Sequence, residues 1–132
     1  PESVGMFIYE GWTEQMHAAG MSTAGLYFRG HDTVMEAEIK QLLNIPEPPD
    51  AIFCWNDKAA VAIHHALFDA GRQIEVFGYD NRAFVYYLNK PFNSVDYPLE
   101  EIGRIAVETL LNDDMTKRNI LIEAKIIERN KG

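Results

Sequence analysis

Cysteine, basic residues and long apolar runs are all scarce in this chain, and each scarcity removes a class of protein. The single cysteine, Cys54, rules out an internal disulfide framework, and its place inside an apolar run makes a small core residue the simplest expectation, one that fits a reducing compartment. No apolar run approaches the roughly 18 residues of a membrane-spanning helix, and no basic-then-apolar leader opens the chain, so no membrane partner is expected. Lysine and arginine number 12 against 20 acidic residues, a formal net charge of -8. Neutralising a nucleic-acid backbone takes a Lys/Arg-rich face, so these residues are not expected to bind DNA by themselves. Catalytic signatures are missing too: there is no nucleophile elbow, Walker loop, glycine-rich dinucleotide turn or Cys-His pair. His17, His31, His64 and His65 lack metal-ligand spacing, since adjacent His64 and His65 project about 100° apart on a helix and no Cys or carboxylate completes a set. They are expected at the surface, with no metal, cofactor or catalytic residue.

What remains is 132 residues, 47% of them hydrophobic, enough for one domain with a real core. The first residue is Pro1, and a piece of a longer protein is expected. Ile8, Trp12, Met16 and Ala19 recur at helical spacing and Gly20 follows as a stop, giving a first helix over 5–19. Ala24 to Phe28 reads as a short strand. Thr33 to Leu43 reads as a helix with Met35, Ile39, Leu42 and Leu43 on its inner stripe, capped by Asp32 or Thr33. The cluster from Pro46 to Asp50 breaks that helix, and the wholly apolar run Ala51 to Trp55 predicts a central parallel strand covered on both faces. Asp57 begins a helix lined by Ala60, Ile63, Leu67 and Ala70 and ended by Gly71, and Ile74 to Gly78 returns as a second buried strand. After a polar and aromatic connection over 81–91, Asn93 to Tyr97 forms a strand. Pro98 opens a helix lined by Leu99, Ile102, Ala106, Thr109 and Leu110, with Asn112 to Asp114 closing it. Ile120 to Ile127 alternates Ile122, Ala124 and Ile126 against Glu123 and Lys125, as in a half-exposed edge strand. Strands and helices in alternation predict an α/β layer fold built on a mainly parallel sheet.

Two apolar runs end on adjacent polar side chains, Asn56-Asp57 and Asp80-Asn81. Ligands of open parallel sheets bind beyond the carboxyl ends of the strands, so Asn56 and Asp80 are the first candidate binding residues. Each also has a plain structural reading: Asn56-Asp57 as a helix N-cap, and Asp80 as the cap of a turn into Asn81.

The order of motifs is more specific than any one of them. Pro49-Asp50-Ala51-Ile52 leads into Asn56-Asp57-x-x-Ala60, then Ala66-Leu67-x-x-Ala70-Gly71, Val76-x-Gly78-Tyr79-Asp80-Asn81 and Pro98-x-x-x-Ile102-Gly103-Arg104-x-Ala106. This series resembles the effector domain of the lactose/galactose-repressor (LacI/GalR) family, and the likeness extends upstream to Glu10-Gly11-Trp12. The resemblance implies a three-layer, doubly wound, mainly parallel sheet, one lobe of the type I periplasmic-binding-protein-like fold. Residues 1–132 would then be a fragment, mostly the C-terminal lobe, with the segment at about 95–112 crossing over to complete the N-terminal lobe. A sugar or related small metabolite would sit in the cleft between lobes, and DNA would be bound only through a helix-turn-helix absent from this chain. The resemblance also implies a cytoplasmic regulator, and the apolar stripe of the 99–111 helix, left without its lobe, would favour a homodimer.

Carried over position by position, the resemblance makes Asn56 an amide that reaches the ligand and Asp80 a carboxylate that accepts from sugar hydroxyls. Ile8 stands where many relatives carry a ligand-clamping arginine, and Asp32 where they often have an aromatic that stacks on the sugar ring. Ile8 also shares a stripe with Trp12, as ordinary packing would require, and Asp32 also suits a helix cap. Tyr97, at the crossover, can face the ligand or wedge the hinge. Two other readings stand beside the regulator: an extracytoplasmic sugar receptor feeding a transporter, and an α/β enzyme with Asp80 as general base.

Overall fold

A computed structural model describes residues 4–24, 35–112 and 119–129. The expected strand at 24–28, the Asp32/Thr33 cap, Asp32 as a site residue, and the close at Asp113-Asp114 lie wholly or partly outside them.

The chain order is α1 (Val4–Ala18), α2 (Met35–Leu43), β1 (Ala51–Phe53), α3 (Asp57–Asp69), β2 (Glu75–Tyr79), a 3-10 helix (Ala83–Tyr87), β3 (Asn93–Asp96), α4 (Leu99–Leu111) and β4 (Lys125–Ile127). The described strands form one sheet in the order β1-β2-β3-β4. β1, β2 and β3 run parallel, with Phe53 beside Phe77 and Tyr79 beside Val95, and β4 returns antiparallel with Ile126 beside Val95. The expected mainly parallel α/β sheet is therefore present.

Helix α3 shows why its sequence folds where it does. Asn56 takes an extended backbone (φ -157°) and its side-chain oxygen accepts from the Ala59 N–H at 2.8 Å, satisfying one orphan donor of the first turn. Gly71 stands just past the end at φ +63°, where a left-handed residue closes a helix at little cost if it has no Cβ. Between these signals, Ala59, Ala60 and Leu67 are buried against β2, where Val76 is also buried. Leu42 of α2, Cys54, Val85 and Phe92 complete the core, packed round by Ile52, Ile63 and Ile74. Burying side chains of this size contributes about 1.5–3 kcal/mol each and holds the helix to the sheet.

Three expectations change in the folded chain. The run Ala51–Trp55 is shorter as a strand and outermost among the described strands, with Phe53 and Trp55 both exposed, so an apolar run did not here mean cover on both faces. β4 spans only Lys125–Ile127; Ile122 is half-buried and Glu123 and Lys125 are exposed as expected, but Ala124 and Ile126 are exposed too and Ile127 is half-buried in place of Ile126. In strands a one-residue shift of register exchanges the faces, which periodicity cannot resolve over so few residues. Helix α4 has no buried residue, and its apolar stripe of Leu99, Ile102 and Leu110 is exposed, in keeping with the expectation of a helix left without its lobe. His64 is half-buried instead of surface-lying, its Nδ1 has no hydrogen-bond partner among the described residues, and its pKa is lowered by burial first, then by His65 and Lys90.

Candidate functional site

Because β1, β2 and β3 are parallel, their carboxyl ends share one edge of the sheet. Asn56 follows β1 within three residues, Asp80 directly follows β2 and Tyr97 directly follows β3. Three of the five residues singled out from the sequence thus meet at the edge where ligands of parallel sheets bind. Ile8 lies on the half-buried face of α1 and is not part of the buried core, and Asp32 lies outside the described residues.

Asp80 is the conformational outlier of this edge. Its φ is +106°, followed by +50° at Asn81, and no other described non-glycine residue has positive φ. Asparagine tolerates the left-handed region, but an aspartate near +106° carries strain of about 1–3 kcal/mol, which persists only where neighbours impose it. The reward is orientation: the Asp80 N–H remains tied to the Val95 carbonyl at 3.0 Å while the carboxylate turns toward β3. There Oδ1 accepts the Tyr97 hydroxyl at 3.0 Å, and Oδ2 lies 3.7 Å from Arg82 Nε, an ion pair too long for a hydrogen bond. Tyr79 and Tyr97 pack with ring centroids 5.3 Å apart, giving the site an aromatic wall. The hydrogen bond to Asp80, then burial, raises the Tyr97 phenol above its ordinary pKa, keeping it a donor. The Asp80 side chain is 19% exposed, so its remaining lone pairs open to solvent.

Asn56 faces a divided task. Its oxygen is committed to the cap on Ala59, leaving the Nδ2 donors without a partner among the described residues. Both readings of Asn56 are compatible: one half of the amide caps the helix and the other half is free to donate.

Beneath this edge lies a polar cluster of which the sequence marks only Asp57, as part of a helix cap. Asp57, the first residue of α3, is 0% exposed. Its Oδ1 accepts from Ser94 Oγ and its Oδ2 from the Arg82 N–H, both at 2.6 Å, the short lengths of charge-assisted bonds. Ser94 Oγ accepts in turn from the Asn81 N–H at 3.1 Å. Gly78 makes the approach possible: a Cβ there would fall against Asp57 Oδ1 and 2.7 Å from Cε2 of Phe92. From two residues past the end of β4, Arg129 donates to the Phe92 carbonyl at 3.1 Å and to Asn81 Oδ1, while its guanidinium lies 4.3 Å from the centre of the Tyr86 ring. The sequence signal for this cluster is Asp57 at the start of a helix, with a glycine two residues before Asp80. Ser94 and Arg129 carry no signal, because their partners lie 37 and 48 residues away along the chain.

A separate open cavity of about 220 Å³, lined by His64, His65, Phe68, Asp69, Leu88 and Lys90 among others, shares no residue with this edge. No group of His, Cys, Asp and Glu among the described residues could hold a metal ion, and none of the helices described is long and apolar enough to cross a membrane.

The family profile described as "Periplasmic binding protein-like domain" matches residues 7–130. The chain belongs to that family. Relatives of the family include the ribose operon repressor of Escherichia coli K12, 31% identical over 114 residues, a match covering 78% of this chain and 33% of the repressor. The chain thus spans about a third of the length of that relative. Among solved structures, a LacI-family regulatory protein from Chloroflexus aggregans superposes with a TM-score of 0.83 at 27% identity, covering 94% of this chain and 49% of that one. A LacI-family transcriptional regulator from Lactobacillus casei, solved with bound sucrose, superposes with a TM-score of 0.80 at 22% identity, covering 100% of this chain and 53% of that one, a likeness of fold. These relatives are regulators, not enzymes.

Proposed function

We propose that this chain is the ligand-sensing part of a LacI-like transcriptional regulator. Residues 1–132 form mostly the C-terminal lobe of a periplasmic-binding-protein-like effector domain, and the stretch at about 95–112 belongs with the N-terminal lobe. A sugar or related small metabolite rests on the carboxyl edge of the sheet. Asp80 accepts its hydroxyls, the Asn56 amide donates to it, and the aromatic pair Tyr79 and Tyr97 flanks it. The observation carrying this reading is Asp80: a strained aspartate whose partly exposed carboxylate stands at the edge where α/β sheets take ligands. The exposed apolar stripe of α4, which includes Leu99, Ile102 and Leu110, agrees with a helix that packs on another lobe.

The chemistry is recognition, with no bond made or broken. One partly exposed acid, with the Asp57 carboxylate beneath it wholly buried and bonded, and no metal-holding cluster among the described residues, does not make a mechanism. A ligand alters DNA affinity only by binding the two arrangements of the lobes unequally, so the site and the crossover at Asp96-Tyr97 are the elements that must differ between them. DNA contact belongs to a helix-turn-helix outside these residues, in a cytoplasmic homodimer.

The test is calorimetric titration of D-ribose, D-glucose and sucrose into the protein as its gene encodes it, with operator release measured in parallel. Binding of one sugar that is lost in Asp80→Asn and that changes DNA retention supports the reading. Sugar binding that survives Asp80→Asn refutes the assignment of Asp80.

A further inference from the structure

We propose that Asp57 and Ser94 are positioning residues for ligand recognition: together they hold the backbone of residues 80–82 in the conformation that presents the Asp80 carboxylate at the sheet edge. This rests on the reading of Asp80 as the ligand acceptor and adds the device that makes it one.

A backbone with φ +106° at an aspartate relaxes unless its surroundings dictate otherwise. Three hydrogen bonds dictate it here. The Asp80 N–H is held by the Val95 carbonyl, the Asn81 N–H by Ser94 Oγ and the Arg82 N–H by Asp57 Oδ2. The first is an ordinary continuation of the sheet ladder. The other two are side-chain acceptors, linked because Ser94 donates to Asp57 Oδ1 while accepting from Asn81. A serine hydroxyl has one proton, and it is donated in the hydrogen bond to the carboxylate, so a lone pair is directed to the turn.

The anchor is itself fixed. Asp57 begins α3 and is wholly buried, Ser94 is wholly buried on β3, and Gly78, the register partner of Ser94, clears the space between them. A carboxylate at a helix N-terminus faces orphan backbone N–H groups and the positive end of the helix dipole, a stabilising placement. Asp57 thus ties the start of α3 to the turn after β2, and both flank the same edge. Its neighbour Asn56 caps the same helix, so one rigid element sets the place of both proposed ligand contacts.

Tyr97 reports on the arrangement without any ligand. Its phenol faces Asp80, Tyr79 and Arg82, and its raised pKa follows chiefly from the bond to Asp80, with Arg82 acting the other way. If Asp57 and Ser94 hold the turn, their loss must swing Asp80 away and release that phenol. The experiment is NMR titration of ring-labelled tyrosine in the protein as its gene encodes it, with the Tyr97 signal assigned through Tyr97→Phe. Asp80→Asn calibrates the shift by removing the charge. Ser94→Ala, which empties a small buried site, and Asp57→Asn are then expected to lower the Tyr97 midpoint by a comparable amount. A fall in melting temperature with the Tyr97 midpoint unmoved in Ser94→Ala would show a merely structural role and overturn the proposal while leaving the site reading intact. An unmoved midpoint in Asp80→Asn would break the Asp80–Tyr97 pairing, and both readings with it. Should Asp57→Asn fail to fold, Ser94→Ala decides alone.

Discussion

Gly78 is where a single methyl should do the most damage. Its substitution by alanine places a Cβ against Asp57 Oδ1 and 2.7 Å from Phe92 Cε2, with both neighbours fully or almost fully buried. Phe92 belongs to the core and Asp57 is anchored by two bonds of 2.6 Å, so neither can move aside freely. Overpacking of this kind costs about 1–3 kcal/mol. Displacing the carboxylate from Ser94 and the Arg82 N–H adds about 1.5–3 kcal/mol for each charge-assisted bond lost. Gly78→Ala is therefore expected to destabilise the fold by about 3 kcal/mol or more, a large fraction of the roughly 5–15 kcal/mol that holds a domain together. In urea the loss reads as a midpoint lowered by about 1–3 M. A double-mutant cycle identifies the cause: in an Asp57→Ala background the glycine substitution should cost much less, because residues in contact do not add. A Gly78→Ala midpoint within a few tenths of a molar of the parent, or strict additivity with Asp57→Ala, would refute the argued packing of glycine against carboxylate.

Other outcomes follow from the same geometry. Asp80→Gly removes backbone strain and should leave stability unchanged or raise it by up to about 1 kcal/mol in thermal or urea unfolding, while sugar binding is lost; a marked destabilisation would contradict the strain reading. Asn56→Asp keeps the capping oxygen but deletes the amide donors, so unfolding should be nearly unaffected and sugar affinity reduced, whereas Asn56→Ala should also cost about 1 kcal/mol of stability. The Cys54 thiol is pushed up to about 12 by burial first and by Asp57 second, so it should resist thiol reagents at pH 8 in the folded protein and react on unfolding. Since the folded value lies above the ordinary 9.0, the stability tied to this proton is fully present below about pH 9 and is lost as pH rises toward 12, a decline that Cys54→Ala should flatten.

Much of this protein was legible from order and spacing. The alternation of helices and strands, the cap at Asn56, the stop at Gly71 and the polar ends of two apolar runs are local signals, each depending on a few neighbouring residues. Such signals sufficed for a mainly parallel α/β sheet and for the carboxyl edge that Asn56 and Asp80 share, because strand direction alone brings those ends together, while Tyr97 was marked by the family resemblance. Tertiary structure decided the rest. Whether Phe53 and Ile126 face core or solvent depends on which strands and layers lie beside them, and a short apolar run carries no record of its neighbours. The partnership of Asp57 with Ser94, and of Arg129 with Asn81, spans distances along the chain that no periodicity encodes. The positive φ of Asp80 belongs to the same class. An aspartate has no local preference for +106°, and it is held there by hydrogen bonds to its turn from β3 and α3 that exist only once the sheet has closed.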